Sequence, residues 1–242
     1  MAIIQNGSSL FSGDAGSGPS EIRRHIIEND WLEAIIQLPN DSFYNTGIAT
    51  YVWVITKAKP RERKGKVQLI DASKCCEARR KSIGNKRVDI SEAARALIVK
   101  AYCDFKTKSY CSENGTGELI CKSHIFTNSA FGYTKIVVES PLVEDGKKVL
   151  KKGKPVADTA KRDTESVPLG EDIETYMKRE VLPYNPEAWV DNAKSKVGYE
   201  IPFTRTFYEY KAIEPAEAIA ARIKEHEARL ADGLKKLFGE KR

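Results

Sequence analysis

The sequence has no apolar run long enough to cross a bilayer; stretches such as Ala34-Ile35-Ile36 are short, against the roughly 18–20 residues a spanning helix needs. Its start, Met1-Ala2-Ile3-Ile4-Gln5-Asn6, lacks the basic region and long apolar segment of a secretory signal. A soluble, cytoplasmic protein with no membrane partner is expected. Cysteine is sparse: the five residues Cys75, Cys76, Cys103, Cys111 and Cys121 have no framework spacing. A disulfide scaffold is therefore excluded in favour of free thiols in a reducing compartment. Cys121-x-x-His124, taken with Cys103 and Cys111, has no second close pair, so no structural zinc site is expected. The three histidines, His25, His124 and His226, form no recognisable Ser/His or Cys/His arrangement. Gly13, Gly16 and Gly18 do not match G-x-G-x-x-G, and Gly-Lys-Ser/Thr is missing, which leaves a flexible connection rather than a phosphate cradle.

What is present is a foldable and unevenly charged chain. Apolar residues make up 41% and aromatics 9% of 242 residues, enough for one large or two small domains. The net charge is +6, yet residues 1–50 carry only Arg23 and Arg24 against six acids. The basic excess falls in clusters at 57–66, at 79–87 (Arg79, Arg80, Lys81, Lys86, Arg87) and at 147–162 (Lys147, Lys148, Lys151, Lys152, Lys154, Lys161, Arg162). Such clusters suit a polyanion such as DNA; they equally suit a solvated face.

Patterning predicts the elements. Ala2–Gln5, closed by Asn6-Gly7, reads as a buried strand with neighbours on both sides; Pro19-Ser20-Glu21 opens a helix; Leu32–Pro39 and Thr50–Thr56 are strands. Strand, helix, strand, loop, strand is an α/β pattern. Val67–Asp71 is a further strand, Asp89–Phe105 a helix after its cap, and Gly132–Glu139 a strand beyond a polar loop. Residues 144–170 read as a basic linker or long hairpin, 171–212 as a short helix and then an irregular, aromatic-rich segment, and 213–242 as an amphipathic helix. In that last helix Ile219, Ile223, Leu230, Leu234 and Leu237 make a narrow seam, suited to a partner helix or to the chain's own core.

Several stretches then carry a family resemblance: Asn6-Gly7-Ser8-Ser9-Leu10-Phe11, Glu21-Ile22-Arg23, Leu38-Pro39, Phe43-Tyr44-Asn45-Thr46-Gly47-Ile48-Ala49-Thr50, Leu69-Ile70-Asp71-Ala72, Phe131–Ile136, Glu180-Val181-Leu182-Pro183, Pro186–Trp189 and Gly198–Arg205. In this order they resemble the later part of the modification subunit of type I restriction–modification systems. The resemblance implies a Rossmann-like α/β fold: the distal half of a methyltransferase sheet over 1–59, an α+β extension over 60–143 and the helical tail. It implies N6-adenine DNA methylation with S-adenosylmethionine in the complete complex, and DNA, a specificity subunit and a restriction subunit as partners. The family's chemistry rests on a glycine-rich cofactor loop and an Asn-Pro-Pro-Phe/Tyr motif, and this sequence has no Pro-Pro pair. No catalytic or cofactor-binding residue is therefore assigned; the chain alone is expected to bind no cofactor and to be inactive, the missing N-terminal half being a further possible partner. The loop Phe43, Tyr44, Asn45, Thr46 and Gly47 is the target-base candidate, since an aromatic there can stack on an extruded adenine. The seam would dock on the specificity subunit. The rival reading is an independent basic module that binds nucleic acid or serves assembly.

Overall fold

In a computed structural model the described residues are 1–114, 117–144, 146–151, 153–210 and 212–239. They fall into two units, Met1–Phe207 and Tyr208–Arg242. The first begins with β1 (Ala2–Asn6), α1 (Ser8–Phe11), α2 (Gly18–Glu28), β2 (Leu32–Gln37), β3 (Thr50–Ile55) and β4 (Lys66–Lys74). A hairpin, β5 (Glu77–Ile83) and β6 (Lys86–Asp89), precedes α3 (Glu92–Asp104), and β7 (Lys108–Asn114) and β8 (Gly117–Thr127) follow. Six of these strands form one sheet in the order β1-β3-β2-β4-β8-β7. Strand β3, rich in β-branched and aromatic residues, lies antiparallel between β1 and β2, so those two run parallel to each other. Strand β4 joins β2 in parallel.

Two expectations are corrected here. Strand β1 is not enclosed: it ladders to β3 at one end of the sheet, and only Ile3 among its residues escapes full exposure. An apolar run marks a strand without fixing its neighbours. The polar stretch after α3 is not a loop: β7 and β8 complete the sheet, with Leu119, Cys121 and Ser123 alternating inward on β8 while Ile120 and Lys122 between them are half-buried. The sheet thus continues across positions 59 and 60.

Each face of the sheet is covered by a helix. On one, Ile27 of α2 packs with Leu10, Ile35, Trp53, Leu69, Phe131 and Phe203. On the other, Ala94, Leu97, Ile98 and Ala101 of α3 pack with Ile70, Ala72, Tyr110 and Leu119. Helix α3 starts where the Ser91 hydroxyl accepts the Ala94 N–H at 3.2 Å. Beyond Thr127, β9 (Gly132–Glu139) centres a second sheet. The stretch 144–170 holds two short hairpins, β10 (Val143–Glu144) with β11 (Lys147–Lys148) and β12 (Leu150–Lys151) with β13 (Lys154–Pro155), and then β14 (Asp163–Pro168), which pairs with β9 along its whole length. Lys152 lies outside the described residues. After α4 (Ile173–Tyr176) and a π-turn (Met177–Val181), β15 (Trp189–Val190) and β16 (Lys196–Tyr199) pair with β9, and α5 (Phe203–Thr206) closes the unit.

The two sheets are tied by Arg23. Only 3% exposed, its guanidinium donates to the carbonyls of Tyr199 (2.6 Å), Ser12 (2.8 Å) and Ser9 (3.2 Å). The Tyr199 N–H donates to the buried Ser20 hydroxyl at 3.0 Å, and the Ile201 N–H to the Leu10 carbonyl at 2.9 Å. Burial lowers the Arg23 pKa from its ordinary value, which is the cost of placing a cation where its ligands are carbonyls. A second knot holds the segment before β4. Lys59 Nζ donates to Asp30 Oδ1 at 2.6 Å, and Asp30 also accepts from Asn128 Nδ2 (2.9 Å) and the Gly65 N–H (3.0 Å).

The second unit contains α6 (Ala216–Phe238), with Arg222 paired to Glu214 at 2.9 Å.

Replacing Arg23 by Met strands one buried and two part-buried carbonyls and is expected to cost about 3 kcal/mol, read as a lower urea midpoint at unchanged slope. Asp30 gives a pH signature. Burial opposes its ionisation, but hydrogen bonds from Lys59, Asn128 and Gly65 outweigh this and hold its pKa below the ordinary 3.8. Its stabilising contribution is complete above that value and is lost as pH falls through the depressed folded value. The urea midpoint of the parent chain should therefore fall in that acid window relative to Asp30→Asn, which lacks the titration.

Candidate nucleic-acid interface

Parallel strands deliver their following loops to one end of a sheet, and ligands of open α/β sheets bind at those carboxyl ends. Strands β1, β2 and β4 end at Asn6, Gln37 and Lys74. The segments that follow, 7–11, 38–49 and 75–90, form one edge. The target-base loop and the middle basic cluster, read separately in the sequence, both fall there.

The loop is shaped by short-range chemistry. Pro39 ends the strand, and the Ser42 hydroxyl donates to its carbonyl at 2.8 Å. Asp41 takes a left-handed φ of 56°, Phe43 and Thr46 pair across a tight turn, and the Asp41 N–H reaches the Gly47 carbonyl at 3.4 Å. A Cβ on Gly47 would lie 2.7 Å from Asp41 Oδ1, so any side chain there would have to displace the Asp41 carboxylate. Phe43, Thr46 and Gly47 are half-buried and Asn45 is exposed. Of the two rings, Tyr44, 68% exposed, is the one presented to solvent.

The hairpin β5–β6 carries all five basic candidates. Asp89 pairs with Arg79 at 2.5 Å and with Lys86 at 2.9 Å, and these two cations hold its carboxyl below the usual aspartate range. Arg80, Lys81 and Arg87 are exposed. The same edge holds residues that sequence reasoning did not single out as a site. Phe11 and Ile48, 59% and 60% exposed, line a recess of about 310 Å³ with Asn6, Gly7, Ser8, Ala49 and Tyr51. Their signal was positional, since they follow the carboxyl end of a strand or precede its partner.

The glycine loop between α1 and α2 is closely packed by neighbouring side chains. A Cβ on Gly13 would meet Ser17 Oγ at 2.4 Å, and one on Gly16 would meet the Lys196 side chain at 3.3 Å. Among the described residues no three His, Cys, Asp or Glu converge on a metal position, and no helix is long and apolar enough to cross a membrane. The lysines of β11 to β13 belong to the first unit, away from this edge in the fold's topology. The seam residues Ile219, Ile223, Leu230, Leu234 and Leu237 sit on α6 of the second unit, all exposed.

The fold is that of a mixed α/β protein with an aromatic loop and a basic hairpin at the carboxyl edge of its parallel strands. More narrowly, the chain belongs to the N-6 DNA Methylase family, whose sequence profile matches residues 1–130. It is 41% identical over 73 residues to the "Type I restriction enzyme MjaVII methylase subunit" of Methanocaldococcus jannaschii, covering 30% of this chain and 12% of that protein. Against the MjaVIII methylase subunit of the same organism it is 33% identical over 104 residues, covering 43% and 17%. The crystal structure of the type I restriction-modification system methyltransferase subunit from Streptococcus thermophilus aligns with a TM-score of 0.41 at 23% identity, over 54% of this chain and 23% of that one. The matched stretches thus span only 12% and 17% of the two curated relatives' own lengths.

Substituting Asp89→Asn removes the carboxylate shared by Arg79 and Lys86 and frees both for a polyanion. The variant is expected to elute from immobilised heparin at higher salt than the parent chain, consistent with added phosphate-type contacts.

Proposed function

We propose that this chain supplies the distal part of the methyltransferase domain of a type I modification subunit, together with its DNA-facing extension. The observation that carries the reading is the meeting of the Phe43–Gly47 loop and the basic hairpin at one carboxyl edge. In this reading β1, β3 and β2 are the closing strands of a Rossmann-like sheet, the reversed strand between two parallel ones being its final hairpin. The unpaired side of β1 then accepts a strand of the methyltransferase domain. Beside it, a groove of about 240 Å³ lined by Ile3, Ile22, Ile26, Trp53 and Ile55 awaits apolar cover, as an exposed edge and face require.

Function follows from division of labour. The complete complex transfers the methyl group of S-adenosylmethionine to adenine N6. The cofactor loop and the Asn-Pro-Pro-aromatic motif belong to the part that pairs with β1, and this chain takes no step through the cofactor. Its own residues receive the substrate: Arg80, Lys81 and Arg87 neutralise phosphates, and the Phe43–Gly47 loop offers a ring on which an extruded base stacks. The seam of α6 docks on helices of the specificity subunit, which selects the DNA site, and the restriction subunit joins the same assembly.

The test is reconstitution. Methyl transfer from labelled S-adenosylmethionine to duplex DNA should be undetectable with this chain alone. It should appear on mixing with a chain that carries the two missing motifs, in the presence of the specificity subunit. In that assembly Phe43→Ala or Tyr44→Ala should reduce transfer by roughly tenfold or more, given stacking energies of about 1–3 kcal/mol per base. Methyl transfer by the isolated chain overturns the reading. Steeply salt-dependent duplex binding with no restoration on mixing favours the independent nucleic-acid-binding module instead.

A further inference from the structure

The turn of the basic hairpin is seated on the aromatic loop. Gly84 stands at a φ of 57°, and a Cβ there would lie 2.6 Å from the Tyr44 carbonyl oxygen and 3.3 Å from its ring. The adjacent Asn85 N–H donates to that same carbonyl at 2.9 Å, and one residue pair further along, the Arg87 N–H donates to the Asp41 carbonyl at 2.9 Å. Position 84 therefore needs glycine for two separate reasons, backbone conformation and the closeness of Tyr44. Within the loop the closing backbone bond, from Asp41 N–H to Gly47, is long at 3.4 Å. The shorter bonds to Asp41 and Tyr44 come from the hairpin.

We propose that the hairpin Glu77–Asp89 is a positioning arm for the Tyr44 loop, with Gly84 and Asn85 as its positioning residues. Duplex DNA gripped through phosphates by Arg80, Lys81 and Arg87 immobilises the arm, and the seated turn passes that order to Tyr44. Grip on the duplex and presentation of the stacking ring are thereby coupled. The coupling to DNA rests on the reading above that this edge meets DNA; the seat itself does not.

Amide hydrogen exchange on the full chain, with and without a short duplex, separates the two. In Gly84→Ala, exchange over residues 41–48 should rise by about tenfold in the free chain as the local opening free energy drops, while β2, β3 and β4 keep their protection. Asn85→Pro, which removes the donor to Tyr44 without adding bulk at position 84, should do the same. Unchanged exchange at 41–48 in both variants, with the sheet intact, overturns the arm. In the parent chain the duplex should add protection at 41–48. Arg80→Gln/Lys81→Gln/Arg87→Gln should abolish that gain and weaken duplex binding, yet leave the free-state protection as it was. Full duplex affinity in this triple variant overturns the DNA reading of the edge, and the Gly84→Ala result then stands or falls on its own.

Discussion

The fold turns on a buried cation held by backbone carbonyls. Arg23 is buried against three carbonyls, from Ser9, Ser12 and Tyr199, and each tie fixes a different segment. Ser9 lies within α1, Ser12 just after it, and Tyr199 on the last strand of the second sheet. A guanidinium suits this task because its donors are rigidly splayed and its charge cannot be shed. A lysine would offer one point of attachment in place of three directions. Of the segments at the carboxyl edge, Arg23 thus holds the one after β1, through the Ser9 carbonyl.

A parallel arrangement gathers the loops at one edge, and buried polar networks stiffen the sheet that carries them. Arg63 shows how. Its guanidinium lies between the Tyr102 and Phe105 rings, 4.4 Å from each, while it contacts Glu33 Oε1 at 3.4 Å and Gln68 Oε1 at 3.2 Å. Gln68 in turn donates to the Ala101 carbonyl at 2.8 Å and the Ser123 hydroxyl at 2.9 Å. One network therefore spans β2, β4, β8 and the end of α3. Burial and the Glu33 carboxylate push the Tyr102 hydroxyl up to about 12, so it remains a donor throughout the physiological range. Such a satisfied network fixes register more than it adds stability, and register places Gln37 and Lys74 at the same edge.

Much of this was legible in the sequence and some was not. Strand β3 and helix α3 announce themselves by β-branched run and by capping serine. The loop at Phe43–Gly47 and the basic cluster at 79–87 were each visible as composition, but their union was not. It depends on a left-handed glycine and two backbone donors, which no pattern of side chains encodes. Strands β7 and β8 were hidden because their inward residues include Ser123 and Cys121, which read as polar or neutral. The exposed setting of β1 could not be read either, since an apolar strand looks the same at an edge as in a centre. Long-range ties such as Arg23 to Tyr199, 176 positions apart, leave no local signature at all.

That separation has a consequence for how the molecule is made. Leu10, Ser20 and Arg23 meet their partners only when residues 199–201 exist. At about 5–20 residues added per second, those partners arrive on the order of ten seconds or more after α2 has left the ribosome. During that interval one of the three carbonyls that the Arg23 guanidinium meets is missing. The family-matched stretch 1–130 therefore completes these contacts only once residues well beyond it are in place.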